Sequence, residues 1–194
     1  MLLWYLRRAV PWAALLGCCA AAALLALTLE RWPGSALIVL PALLACCAAA
    51  AAFVFDETPL AVVEVTPRGG SWRRTARLAV TCVPAAVWAV LVLARPGDLP
   101  LHRPSWGLVG AAAIALTAGV AGLMSRRAVT APGSLLAAVV VLTVIGPVVL
   151  TAFLGWDSIY PIEGFPTATW RFWWLVAAGG AGACLLALRP GVRS

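Results

Sequence analysis

Few residues in this sequence could do acid–base or nucleophilic chemistry, and they are scattered. The single histidine, His102, stands beside Arg103 and near Asp98. That trio is the one grouping suited to a lipid-modifying reaction. The acidic residues are Glu30, Asp56, Glu57, Glu64, Asp98, Asp157 and Glu163, and each falls in a polar stretch or at the edge of an apolar run. A proton relay or ion-coupled pump needs ionisable groups at depth in an apolar run. An intramembrane protease needs a nucleophile with its base, or a carboxylate pair, in the same place. Neither pattern is present, and no Gly-rich phosphate loop of the Walker type occurs. The cysteines Cys18, Cys19, Cys46, Cys47, Cys82 and Cys184 all lie in apolar runs without histidine at ligand spacing, so they read as small apolar filler and no metal site is expected. The residues point to a chain that is not an enzyme.

The elements that would position these groups are set by composition. Of 194 residues, 63% are hydrophobic and 11% charged, whereas a soluble domain has roughly 45–50% apolar and about 25% charged residues. Lipid must therefore be the solvent for most of the chain. Six apolar runs, at about 9–29, 36–55, 78–94, 106–124, 134–154 and 172–188, approach the roughly 20 residues a helix needs to cross a hydrocarbon core. They lack the period-2 alternation of barrel strands, so helices are expected. The fold class is all-α, a polytopic membrane protein with six transmembrane helices forming one domain over 1–194.

All 14 basic residues are arginine. With the N-terminus inside, Arg7, Arg8, Arg68, Arg73, Arg74, Arg77, Arg126, Arg127, Arg189 and Arg193 fall in inner segments, ten of the 14. The positive-inside rule then places both termini in the cytoplasm of a bacterial plasma membrane. Nucleic acid is not implied by this charge. Leu15-Leu16-Gly17-Cys18 resembles a lipoprotein cleavage box, but the apolar run continues to Leu29, beyond the roughly 7–15 residues of a signal core. It reads as a span, with Trp4, Tyr5, Arg7 and Arg8 as its interfacial start. Pro41, Pro84 and Gly146-Pro147 should kink or unwind their helices. Gly119-x-x-Gly122 and Gly179-Gly180-x-Gly182-Ala183 suit close helix approach, whether by chance of composition or as a dimer face.

Two connections are longer and richer than the rest. In 56–77, Asp56 and Glu57 precede Thr58, a helix cap, and Pro59, suited to a first helical position. A short helix over Leu60, Val63 and Glu64 would end at Pro67, with Gly69-Gly70 as a hinge. A second helix would start near Ser71 and carry Arg73, Arg74 and Arg77 into the third span. The loop reads either as an ordered surface whose arginines meet lipid phosphates or as a docking element for a cytoplasmic partner. In 155–171, Trp156, Asp157, Tyr160, Glu163, Phe165 and Trp170 make a stretch too polar to span and too aromatic for a free loop. It is expected to lie on, or dip into, the outer leaflet as a short interfacial helix, either a plain aromatic belt or an outer gate.

Taken together, the chain resembles the permease subunit of an ABC exporter of the six-helix type, with the 56–77 loop similar to loops of actinobacterial permeases. The resemblance implies a coupling helix between spans two and three, with Asp56, Glu57, Pro59, Leu60, Val63, Glu64, Arg73 and Arg74 meeting a separate cytoplasmic ATP-binding subunit. It implies an outer gate between spans five and six, ATP and magnesium held by the partner and no cofactor in this chain, and a second permease copy or paralogue beside it in membrane lipid. The substrate would be apolar or amphipathic. The alternative is a non-transporting membrane scaffold or accessory subunit.

Overall fold

A computed structural model describes residues 2–56, 70–93, 102–127, 132–155, 158–161 and 167–189. The elements are α1 (Leu2–Ala9), α2 (Trp12–Arg31), a single 3-10 turn at Pro33–Ser35, α3 (Ala36–Phe53), α4 (Gly70–Val80), α5 (Cys82–Leu93), α6 (Arg103–Arg126), α7 (Pro132–Leu154) and α8 (Thr167–Leu188). Six stretches are long and apolar enough to cross a membrane, α4 and α5 together making the third. The chain is thus an all-helical, multi-pass membrane protein, and no strand occurs among the described residues.

α3 is the hub. Its run Ala48–Ala52 is buried throughout, and it packs on α2, α5, α6 and α7. Alanine makes the helix thin, which lets four neighbours close on it. α8 packs chiefly on α6, and α7 chiefly on α3. The small-residue runs explain the first of these pairings. A Cβ on Gly119 would meet Ala183 Cβ at 2.6 Å and Cys184 N at 2.9 Å. A Cβ on Gly180 would lie 2.6 Å from Leu116 N. These glycines join α6 to α8 within the chain, whereas Gly179 and Gly182 face open space.

The prolines act differently from one another. α3 and α7 remain helical through Pro41 and Pro147. Pro84 removes the N–H that would bond Val80 O, and the third span breaks nearby at Thr81, whose hydroxyl donates to Leu78 O at 2.6 Å. Pro11 separates α1 from α2, and Trp12 Nε1 bridges the break by donating to Leu6 O at 3.0 Å. α1 turns its Tyr5 and Ala9 against Ala76 and Trp72 of α4, with the Tyr5 and Trp72 rings 5.3 Å apart. The start of α1–α2 is therefore a separate docked helix and not only an extension of the first span.

Candidate functional site

Two structured ends frame the bundle. The first, the arginine end, is organised by Asp56. This residue follows α3, and its carboxylate accepts the backbone N–H groups of Gly133 and Ser134 at the start of α7. A helix start leaves such donors without partners and favours negative charge; Asp56 supplies a cap from another element. Gly133 permits the approach, since a Cβ there would lie 2.7 Å from Asp56 Oδ1 and 2.8 Å from Ala52 O. Arg77 of α4 is buried, donates to Phe55 O at 3.0 Å and brings its positive charge near Asp56. Together these contacts clasp the ends of α3, α4 and α7. Arg126 donates to Leu186 O, tying α6 to the last turn of α8, where orphan carbonyls attract cations.

Replacing Asp56 by alanine is expected to cost about 1–2 kcal/mol, as loss of a cap does, whereas asparagine, also a good cap, should cost only a few tenths. Unfolding midpoints in detergent check this. Burial pushes the Asp56 carboxyl above its ordinary 3.8, outweighing the Gly133 and Ser134 hydrogen bonds and the Arg77 charge that hold it down. The folded state thus favours the protonated acid relative to the unfolded chain. The associated stability is present below 3.8 and is lost as pH rises through the folded value. The Asp56→Asn variant should lack this acidic-range dependence.

The second end, the aromatic end, centres on residues 158–161, which are irregular and fold back into the bundle. Tyr160 N–H bonds Ser158 Oγ at 3.1 Å, a local hydroxyl-stabilised turn. Backbone groups inside an apolar bundle need partners, and indoles supply them. Trp106 Nε1 donates to Pro161 O and Trp173 Nε1 to Ile159 O, both at 3.0 Å. Tyr160 donates its hydroxyl to Val144 O at 2.7 Å, near the turn that Pro147 loosens. Burial raises the Tyr160 pKa, so this hydroxyl keeps its proton and stays a donor. The rings form a continuous chain in which one pair is stacked and the outer two pairs are tilted. Trp106 lies parallel to Tyr160 at 5.9 Å, Trp88 sits 6.2 Å from Trp106 on one side, and Trp173 sits 6.0 Å from Tyr160 on the other. Gly110 makes room for the Trp88 indole, whose Nε1 donates to Trp106 O at 3.1 Å.

Beneath this segment is a cavity of about 320 Å³ between α6, α7 and α8, backed by Ala48 of α3 and lidded by Ile159 and Tyr160. Its walls are almost wholly apolar, with Leu116 and Val120 from α6, Val140 and Val144 from α7, and Trp173 and Val176 from α8. No lining residue is charged. Among the described residues, no group of three or more His, Cys, Asp and Glu could hold a metal ion. His102 pairs with the hydroxyl of buried Ser105 at the start of α6.

The residues singled out by sequence divide accordingly. Asp56 joins the start of α7, and Arg73 and Arg74 lie half-buried on α4. Glu57, Pro59, Leu60, Val63 and Glu64 lie outside the described residues. Tyr160 is the centre of the inserted segment, while Trp170 is exposed and packs edge-on to Trp174 at 6.0 Å. Trp156, Asp157, Glu163 and Phe165 lie outside the described residues. Sequence reasoning did not single out Trp88 and Trp106. The available signal was the helical phase of these tryptophans relative to Gly110 and the small-residue face of α8. No protein-family model, curated protein or solved structure matches the chain.

Proposed function

We propose that the chain is the transmembrane permease subunit of an ATP-driven exporter of the ABC type, handling an apolar or amphipathic substrate. The observation that carries this reading is the apolar, uncharged cavity between α6, α7 and α8, which suits hydrocarbon and offers nothing to an ion. The clasp at the arginine end supplies a mechanical rationale for coupling. Residues 57–69 leave from Asp56 and return at Gly70 of α4, so a push on them bears on α3, α4 and α7, and α3 and α7 contribute walls to the cavity. A docked ATP-binding subunit closing on ATP would deliver such a push.

In this reading both termini are cytoplasmic in a bacterial plasma membrane, with the arginine end inward; the placement of ten of 14 arginines supports it. α2, α7 and α8 bury only 22%, 22% and 17% of their span residues within the chain. That leaves apolar surface for lipid or for a second permease. Leu60, Val63 and Glu64 would seat on the ATPase. The double substitution Leu60→Asp with Val63→Asp is expected to release an ATP-binding subunit during co-purification while leaving the six-span chain folded. Full retention of that subunit would refute the coupling role.

A further inference from the structure

The arginine end gathers more donors than its acceptors satisfy. Arg73 and Arg74, half-buried in the first turn of the third span, each hold a buried Nε with no hydrogen-bond partner among the described residues. Tyr5, packed on Trp72 and Ala76 of the same helix, has a buried hydroxyl with none either. Buried donors are expected to meet an acceptor. α4 packs on α6 and α8, which brings Arg126, the last residue of α6, near enough for its charge to act on that of Arg74. Among the described residues the acids are Asp56, held by Gly133, Ser134 and Arg77 as above, and Glu30 at the far end of α2. Two like charges close together in a partly apolar setting repel, and an anion between them turns that cost into attraction. Both arginines also stand where a span ends, since the third begins at Trp72 and the fourth finishes at Arg126. That is the level at which guanidinium groups reach out on apolar stems and head-group phosphates lie. Guanidinium donors match phosphate oxygens in pairs. A head group with its own ammonium would add a further cation where no described carboxylate is free, so a phosphate without a compensating cation fits best.

We propose that Arg74 and Arg126, with Arg73 next to Arg74, bind the phosphate of an anionic phospholipid such as phosphatidylglycerol in the leaflet at the arginine end. Of the two readings of the 56–77 loop, this gives its arginines to lipid and leaves Leu60, Val63 and Glu64 to a docking partner. It does not depend on the exporter reading.

The test gives the full chain in detergent equimolar phosphatidylglycerol and phosphatidylethanolamine with the same acyl chains, and counts retained lipid by native mass spectrometry. Matched chains remove hydrocarbon from the comparison. Phosphatidylglycerol is expected to be retained at least about fivefold over phosphatidylethanolamine, the worth of one arginine near an anionic surface. Arg74→Gln and Arg126→Gln should each abolish the preference. Arg74→Lys should keep most of it, which separates lost charge from lost fold. Arg31→Gln, at the far end of α2, should leave it unchanged. Equal retention of the two lipids by the unsubstituted chain overturns the proposal without reliance on any variant. An equal loss with Arg31→Gln overturns it too, since net charge alone would then account for the preference. Displacement of the lipid by inorganic phosphate at constant ionic strength would assign the site to a soluble anion and refute the head group. A preference that survives Arg74→Gln, while the same change releases an ATP-binding subunit, would assign Arg74 to that partner and refute the lipid site.

Discussion

Gly180→Leu is expected to separate α6 from α8 and to lower stability by more than about 3 kcal/mol, the upper range for overpacking a core. The clash is with backbone: even a Cβ at 180 would lie 2.6 Å from Leu116 N and 3.0 Å from Ala115 C. No rotamer change relieves that contact. Helices in lipid gain little from hydrophobic burial against one another and associate through close packing, so a wedge at the closest point removes most of what joins this pair. Gly119 is the reciprocal position on α6 and should behave similarly. The contrast lies one residue earlier and two later. Gly179 and Gly182 have open space around an added Cβ, and alanine there should be neutral or stabilising by up to about 1 kcal/mol through helix propensity. Unfolding of the four variants in detergent separates the cases, and equal loss at 180 and 182 would refute the α6–α8 interface.

Trp106→Ala should cost about 3–5 kcal/mol, the range for truncating a buried large aromatic residue. Trp106 is fully buried, stacks on Tyr160, and its indole is a donor to the Pro161 carbonyl. Its loss leaves a void beside the lid and a buried carbonyl without that donor. Trp106→Phe keeps much of the ring and loses the donor, and should cost about 1–3 kcal/mol. Both should raise hydrogen exchange at the Tyr160 amide relative to amides of α3, because the inserted segment loses one of its anchors. Unchanged protection at Tyr160 in Trp106→Ala would show that the segment is held without the indole.

The membrane spans were legible because hydrophobicity over about 20 residues is a strong local signal. The edges were less so, for reasons visible in particular residues. The apolar run of the third span starts only at 78, but the helix expected from near Ser71, carrying Arg73, Arg74 and Arg77 into that span, is present as α4; arginine lowers local hydropathy, yet its apolar stem packs well at a helix end. The sixth was read from 172, while Thr167–Arg171 is already helical. The 155–171 stretch was expected to lie on or dip into the leaflet, and 158–161 is inserted. Which rings face inward was not legible, because Trp173 and Trp174 are the same residue type and differ only in helical phase, at 5% and 53% exposure. The glycine pairs could not be assigned from sequence amid so much alanine; what distinguishes Gly180 from Gly179 is the backbone of α6, remote in sequence. Asp56 was read as part of a docking loop, and its link to Gly133 across 77 residues has no local trace.

We propose that this six-span bundle, with its uncharged cavity, works as the membrane half of a machine whose energy comes from elsewhere. The most direct measurement is to purify the tagged chain from its native membrane in mild detergent and to quantify what accompanies it. An ATP-binding subunit in equal amount is the expected result. An intact six-span chain recovered with no ATP-binding protein would contradict the exporter and favour a scaffold.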